Sequence, residues 1–348
     1  MMRNAKKYLL LADCKEEEVV ALGETLHYNG KSFVIKSHIA NWKRTGKRSE
    51  LKRYGMYFAV AFRYFLRRKD CGMIVGWQQF YALIFSFFCN IFSVQKTTIV
   101  MALNFTYKNK TGKLAKIYRW FMGKCVNPVY LDYIHVLSSD YAELIHREFD
   151  FPRERILVVP FGVEDSYETL HTLAPPAGFQ KENYALAIGR SNRDYDFLIR
   201  AWKDVDFPLV IISDTYKGCA EAENITLLTN VAGEESLPWI ANCGLMVIPI
   251  DDGTVCSGDT VLLTAMSLGR KIVVTVPSTL SQMYVTEGEN AVLAEKNEES
   301  FRRILEELLH GERYSGLGAG ARNSFVSRYT RKSMGMQLTR ALAETQTR

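Results

Sequence analysis

The chain has 348 residues, 47% apolar and 24% charged, an ordinary globular composition that is too long for one common-sized domain. Those totals exclude a collagen-like, low-complexity or wholly disordered protein. The seven cysteines, with no CxxC pair, do not form a disulfide-framework or zinc-site pattern and fit a reducing compartment. Net charge is +6, yet residues 31–131 hold 19 Lys/Arg against Glu50 and Asp70 alone, and no acid lies between Asp70 and Asp132. Such a field points to an anionic partner.

Met1–Leu11 carries charges and only a short apolar run, unlike a secretory leader, so a cytoplasmic protein is expected. Short aliphatic runs mark strand candidates at Tyr8–Leu11, Phe33–Lys36, Met73–Gly76, Thr98–Leu103, Ile134–Leu137 and Ile156–Val159. Helices are expected over 51–68, 80–92, 113–124 and 139–148. Tyr81–Val94 is strongly apolar but has only 14 residues, short of the roughly 20 a membrane span needs, so a buried helix is the reading. Thr169–Lys181, with Pro175, Pro176 and Gly178, is the composition break and the expected linker. Beyond it, Tyr184–Ile188, Leu209–Ser213, Ile225–Leu228, Leu245–Ile248 and Lys271–Thr275 lack alternation, as strands buried on both faces do. Helical stretches alternate with them, one with Phe197, Leu198, Ala201 and Trp202 on a single face, another with Phe301, Ile304, Leu305 and Leu308. That order predicts βαβ units: two parallel α/β, Rossmann-like domains with a cleft between their strand ends.

Two stretches carry chemistry. In Ile188–Ala201, Gly189 permits a tight turn, Asp194 is a candidate N-cap, and Arg190 and Arg193 stand where a strand ends and a helix begins. Anions are favoured there by the helix dipole and free N–H groups. A surface turn with two solvated arginines is an equal reading of that segment alone. In the second stretch an acidic loop, Asp251-Asp252-Gly253, precedes a helix expected to start near Ser257-Gly258-Asp259-Thr260. Its buried stripe would be Val261, Leu262, Ala265 and Met266, with Gly269 as its stop. Small residues at that start let a diphosphate sit on backbone N–H groups, with Ser257 and Thr260 as further donors; ordinary capping by Ser257 is the alternative. The six histidines are isolated in sequence, and no Ser/His/Asp or Cys/His pattern is recognisable.

These two segments resemble the donor domain of GT-B-fold glycosyltransferases, most closely the retaining family-4-like enzymes of bacterial surface-polysaccharide assembly. Ile188-Gly-Arg-Ser-Asn-Arg-Asp-Tyr195 is similar to their first donor-domain loop, and Ser257-Gly-Asp-Thr-Val-Leu-Leu-Thr-Ala-Met-Ser-Leu-Gly269 to their donor-binding helix. Phe161–Glu164 resembles the turn that leaves the N-terminal domain, and Gly288–Leu293 the final donor-domain loop. The resemblance implies two Rossmann-like domains facing each other across a cleft, 1–168 and 182–327, with 328–348 packing back on the first. It implies transfer of a sugar from a nucleoside-diphosphate-sugar co-substrate, with retention, no metal and no other cofactor. Gly189, Arg190, Ser191, Arg193, Ser257, Gly258 and Thr260 would hold the diphosphate, the two arginines offsetting leaving-group charge. Thr229, Asn230 and Val231 would lie near the base, and Asp251, Asp252, Gly253 and Cys256 near the sugar. The family commonly carries a Glu pair where this chain has Cys256 and Thr264; Asp259 is the candidate for part of that lost role. Trp77, Gln78 and Asn104 are the first-domain cleft candidates.

Two apolar stripes of the basic half remain. Tyr54, Phe58, Phe62, Phe65 and Leu66 lie among Arg53, Arg63, Arg67 and Arg68; Leu114, Ile117, Tyr118, Phe121 and Cys125 lie among Lys110, Lys113, Lys116, Arg119 and Lys124. Each is a core face or an interfacial membrane helix, and the charge skew favours the membrane. The expected acceptor is therefore a polyprenyl-phosphate-linked lipid or a glycan, used at the inner face of the cytoplasmic membrane, with no nucleic acid as partner. Two alternatives stand beside this: a donor-binding partner without catalysis, suggested by Cys256 and Thr264, and a nucleic-acid binder using Trp42, Tyr54 and Trp120. No RNP, helix-turn-helix or zinc-finger pattern supports the latter.

Overall fold

The computed structural model describes residues 5–39, 47–108, 110–179, 183–219, 222–231, 233–255 and 257–347. Trp42, Cys256 and the end of the expected linker, 180–181, lie outside the described residues. The chain divides into two compact units: residues 1–164 with 331–348, and residues 165–330.

In the first unit, β1 (Lys7–Ala12), α1 (Val20–Thr25), the two-residue strands β2 (His27–Tyr28) and β3 (Lys31–Ser32), and β4 (Val34–Ser37) come first. Then follow α2 (Lys47–Leu66), β5 (Cys71–Gly76), α3 (Gln79–Ile91), β6 (Ile99–Ala102), α4 (Ala115–Cys125), β7 (Tyr133–Val136), α5 (Ser139–Phe149) and β8 (Ile156–Val158). Six of these strands form one parallel sheet in the order β4-β1-β5-β6-β7-β8. Strands without alternation can only bury both faces. Leu9, Leu11, Ile74, Val100 and Ile134 pack into one core, and Leu10, Met73, Val75 and Met101 into another.

The second unit runs α6 (Tyr167–Leu170), β9 (Ala185–Ile188), α7 (Tyr195–Trp202), β10 (Leu209–Ile212), β11 (Ile225–Leu228), α8 (Leu237–Asn242) and β12 (Leu245–Ile248). It continues with α9 (Asp259–Ser267), β13 (Lys271–Val276), α10 (Thr279–Tyr284), β14 (Val292–Glu295), α11 (Glu298–His310) and α12 (Leu317–Ser324). Its parallel sheet has the order β11-β10-β9-β12-β13-β14, the doubly wound arrangement in which the order reverses between the first and fourth strands. Phe197, Leu198, Ala201 and Trp202 are buried as their shared face requires, and Phe301, Leu305 and Leu308 pack into the same core. The last helix, α13 (Arg331–Gln346), lies in the first unit, where Met334, Leu338 and Leu342 join the core beneath α1.

The crossings between units fall elsewhere than the composition break. The chain enters the second unit after Glu164, not after 168. Arg322 grips Asp165 with two bonds of 2.7 and 2.9 Å and lies 4.6 Å over the Tyr167 ring, so these residues already belong to that unit's packing. Pro175, Pro176 and Gly178 therefore form a surface excursion of the second unit. The return comes after Thr330 instead of 327, because Phe325 and Tyr329 are buried and Tyr329 packs edge-on against Tyr284 at 5.3 Å. Strand β14 and helix α1 were not expected: each is short, and β14 follows a polar Gly288-Glu-Asn turn. Among the described residues no helix is long and apolar enough to cross a membrane; in α3, Tyr81–Phe85 are buried instead.

His135, fully buried on β7, ties the ends of three strands together. Its Nε2–H donates to Val159 O at 2.9 Å, which leaves Nδ1 to accept from Asn104 N at 3.1 Å. That pairing needs the neutral ring, and burial pushes its pKa from 6.5 down to about 4. The unfolded chain therefore takes up this proton first, so the contribution to stability is complete above pH 6.5 and is lost as pH falls toward 4. Calorimetric unfolding should show the wild type losing on the order of 3 kcal/mol relative to His135→Asn across that window. Parallel pH profiles for the two proteins would remove His135 from this role.

Candidate functional site

In open α/β sheets, loops after the strands that flank a reversal of order diverge and leave a crevice at the carboxyl edge. In the second unit those strands are β9 and β12, paired through Ala185–Leu245 and Leu186–Met246. The loops after them are Gly189–Asp194 and Pro249–Gly258, the two segments singled out by sequence.

Their joint geometry centres on Arg193. It forms an isolated bridge with Ile250, and its Nη1 donates to the carbonyls of Ser191 and Asn192 at 3.3 and 3.2 Å. The guanidinium lies between two glycines. A Cβ on Gly189 would come within 2.8 Å of Arg193 Nε, and a Cβ on Gly258 within 2.8 Å of its Nη2. Gly258 is also in left-handed conformation, φ 105°, as the residue preceding α9. Only glycine meets both demands there. Burial lowers the Arg193 pKa, with Tyr195 and Asp259 acting in the opposite direction, and its Nε has no hydrogen-bond partner.

The residue in the N-cap position of α9, Gly258, has no side chain with which to cap it. Ser257, a candidate cap by sequence, points its hydroxyl to Ser191 O at 3.5 Å instead, because the left-handed turn at Gly258 occupies the capping position. A cation thus stands at the positive end of a helix dipole. Arg190 is different: it is 73% exposed and pairs with Asp214 at 3.0 Å, a surface bond that contributes about 0–1 kcal/mol and is easily exchanged.

Around this pair opens a cavity of about 370 Å³. Of the residues proposed from sequence, it is lined by Gly189, Arg190, Ser191, Arg193, Val231, Ser257, Gly258, Asp259 and Thr260; Ser213, Asp214, Ser236 and Val261 join them. Backbone amides at a helix start, hydroxyls and two guanidinium groups are the kinds of donor that suit an anion.

Other candidates lie elsewhere. Thr229 and Asn230 are exposed after β11 at the sheet edge, outside the cavity lining. Asp251, Asp252 and Gly253 do not line it either. The Asp252 carboxylate accepts from Thr254 N and Oγ1 at 2.9 and 2.7 Å, which holds its pKa below the usual carboxylate value. Gly253 is required by packing, since a Cβ would lie 2.2 Å from Pro277 O. In the first unit, Trp77 stacks on Phe161 at 5.9 Å beneath the Arg331 guanidinium, 4.2 Å from the Trp77 ring. Gln78 caps α3 by accepting from Phe80 N at 3.3 Å, and Asn104 presents a buried Oδ1 with no partner.

Sequence reasoning missed Asn192, Lys296 and Asp214. Asn192, at φ 56°, donates to Asp252 O and Val255 O at 3.0 and 3.2 Å and accepts from Asp252 N at 2.7 Å, clamping one loop to the other. Lys296 joins Asp194 Oδ2 at 2.7 Å and Asp251 O at 3.2 Å. An asparagine within a glycine-led turn signals the left-handed conformation, but its partners sixty residues away carry no local mark. Among the described residues, no three His, Cys, Asp or Glu side chains are grouped to hold a metal ion.

Residues 182–311 match the family described as Glycosyl transferases group 1. No curated protein matches the chain. Solved structures resemble it along its whole length. A glycosyltransferase from Rickettsia africae ESF-5 is 11% identical, with 98% of this chain and 99% of that one covered and a TM-score of 0.64. Anabaena Alr3699/HepE, solved in complex with UDP, is 11% identical, with 97% and 100% covered and a TM-score of 0.65. The lipopolysaccharide outer core galactosyltransferase WaaB is 13% identical, with 97% and 99% covered and a TM-score of 0.59.

The wedge makes a checkable demand. Gly258→Ala should cost about 1–3 kcal/mol in denaturant unfolding, from the left-handed φ and the contact with Arg193 together. Adding Arg193→Ala should return part of that loss, a coupling above about 0.5 kcal/mol in a double-mutant cycle. Strict additivity would show that the two groups do not press on one another.

Proposed function

We propose that this chain, which has the GT-B fold and matches the model of glycosyl transferases group 1 over residues 182–311, is a glycosyltransferase that takes its sugar from a nucleoside diphosphate sugar bound in the cavity at the start of α9. One observation carries the reading: the half-buried Arg193 guanidinium is fixed between Gly189 and Gly258 at a helix start whose N-cap residue is glycine, with Arg190 beside it. This concentrates positive potential in a cavity where, among the described residues, the lining carboxylates are Asp259 and Asp214. The solved complexes of Anabaena Alr3699/HepE with UDP and with UDP-glucose support the same ligand class.

The donor diphosphate lies across the α9 N-terminus, accepting from its amides and from the Ser257 and Thr260 hydroxyls. Arg193, already desolvated and oriented, meets the charge that grows on the leaving phosphate as the glycosidic bond breaks; stabilisation of this kind requires no reorganisation at the moment of reaction. Arg190 exchanges Asp214 for phosphate. The acceptor oxygen bonds the anomeric carbon from the face on which the carbon–phosphate-oxygen bond breaks and gives its proton to that leaving phosphate, so anomeric configuration is retained. The arginines and helix amides meet the leaving charge in place of a metal, and positioning supplies most of the remaining rate. Asp259 borders the sugar in place of the family carboxylate that Cys256 lacks. The acceptor is a hydroxyl of a polyprenyl-phosphate-linked or glycan substrate of surface-polysaccharide assembly, met at the inner face of the cytoplasmic membrane, where the basic first unit holds the enzyme.

Thermal-shift measurements against UDP, GDP, ADP, CMP and TDP test this. One nucleoside diphosphate should stabilise the protein by about 2.7 kcal/mol at a hundredfold excess over its Kd, unaffected by EDTA. Arg193→Ala should weaken that ligand tenfold or more, and Arg190→Ala less, since an exposed side chain gives up less on removal. No shift with any nucleotide would sink the assignment, and binding without turnover on any acceptor would favour a donor-binding partner.

A further inference from the structure

We propose that the outer face of α2, the end of α3 and α4 is a surface that inserts into an anionic phospholipid bilayer. The inference rests on the reading that the chain works at a membrane and adds which residues enter it.

Helix α2 is apolar on two sides. Tyr57, Val60, Ala61 and Phe65 are buried in the core of the first unit. Leu51, Phe58, Phe62 and Leu66, spaced by seven, four and four residues along a different stripe, are exposed. A helix on a water-facing surface needs only the first of these stripes. The second continues onto neighbouring helices. Phe62 meets Phe88 of α3 at 5.1 Å, Phe58 meets Phe121 of α4 at 6.0 Å, and Phe87 meets Trp120 at 6.1 Å. At its far edges Phe92, Trp120 and Ile117 are 58%, 53% and 61% exposed. One connected aromatic and aliphatic ridge thus spans three helices and is left in water.

Its charge chooses the occupant. No acid occurs from Cys71 to Leu131, where Lys113, Lys116 and Arg119 interleave with the exposed residues of α4; on α2, Arg48, Arg63 and Arg67 flank the exposed residues against one acid, Glu50. A second copy would bring the same positive charge to the same place, which opposes self-pairing. A nucleic acid would use the rings, but Leu51, Leu66, Leu114 and Ile117 offer nothing for a base to stack on. An anionic bilayer uses both: apolar side chains at the acyl boundary and Lys/Arg among the phosphates.

Flotation with vesicles of equimolar phosphatidylglycerol and phosphatidylcholine, against phosphatidylcholine alone, tests this on the full chain. The protein should float with the anionic vesicles. The combined variant Leu66→Ser, Phe92→Ser, Ile117→Ser and Trp120→Ser should lose tenfold or more in partitioning while keeping its thermal response to nucleotide. Lys113→Glu with Lys116→Glu and Arg119→Glu should lose a similar factor. In the wild type, brominated acyl chains should quench a component of emission that Trp120→Phe lacks, a readout that does not depend on the fourfold variant folding. Salt-sensitive binding with no such quenching would overturn insertion and leave a purely electrostatic membrane contact. Absence of binding to either vesicle would overturn both readings without touching the donor site. A concentration-dependent dimer abolished by the serine variant would assign the ridge to a second copy.

Discussion

The second unit is organised around one steric and electrostatic constraint: a guanidinium wedged between two glycines. Arg193 is held so closely to Gly189 and Gly258 that neither position accepts a Cβ without movement. Around it the local bonds line up: Tyr195 OH donates to Gly189 O at 2.8 Å, and Asp194 N to Pro249 O at 2.9 Å. Asp194 caps α7 through Phe197 N at 3.0 Å while holding Lys296. Placing a cation at the positive end of a helix is unfavourable by itself. The loops hold it there through bonds that no ligand has to form, which is what preorganisation means in physical terms.

The parallel sheet decides where such a constraint can be built. Strand order reverses between β9 and β12, so the following loops part and the helix starting after β12 presents its N-terminus to the gap. The first unit has its own reversal, between β1 and β5, and Trp77 and Gln78 follow β5 directly. There another arginine is confined: Arg331, pushed down to about 10 by burial, lies over Trp77 and Phe161 at 4.2 and 4.9 Å. It is the residue at which the chain rejoins the first unit, and its amide bonds Val163 O at 2.9 Å. The aromatic faces supply what hydrogen-bond partners do not, since a weakly hydrated guanidinium can be desolvated against them.

Much of the fold is legible because strands buried on both faces leave an unbroken aliphatic run that little else produces, as at Leu209–Ile212 and Leu245–Ile248. Four-residue β14 is not, because it is an edge strand in which Val292 and Ala294 are buried while Glu295 is exposed. The unit boundaries are hidden for a different reason. Proline and glycine mark where the backbone turns, whereas membership of a unit is decided by side chains such as Arg322, whose grip on Asp165 spans 157 positions. The candidate site divides the same way. Gly189, Arg193 and Gly258 are visible as residues suited to a tight anion-binding turn. The glycine of Asp251-Asp252-Gly253 has the same appearance, but its reason is the approach of Pro277 O, which nothing nearby in sequence announces. Thr229 and Asn230 follow a strand end as expected, yet both are exposed outside the cavity, which the next residue, Val231, lines.

Helix α2 shows why apolar periodicity alone cannot separate core from surface. Phe58, Phe62, Phe65 and Leu66 read as one stripe, since each is three, four or seven residues from another. Packing splits them: Phe65 is buried in the core of the first unit, while Phe58, Phe62 and Leu66 remain at the surface. A stripe wider than one neighbouring helix can cover must leave part of itself in water. Leaving large aromatic groups there forgoes about 1.5–3 kcal/mol for each ring that burial would have gained. Single exposed apolar residues need no explanation, but a connected set rimmed by one sign of charge does. Here the rim is basic: α4 lies in a stretch, 71–131, that holds no acid, and α2 has Glu50 as its one acid among five Lys/Arg, so the two properties occur on the same helices. Charge without the ridge would describe a solvated face; the ridge without charge would describe a protein interface. Their coincidence on α2 and α4 is what specifies a surface both oily and anionic.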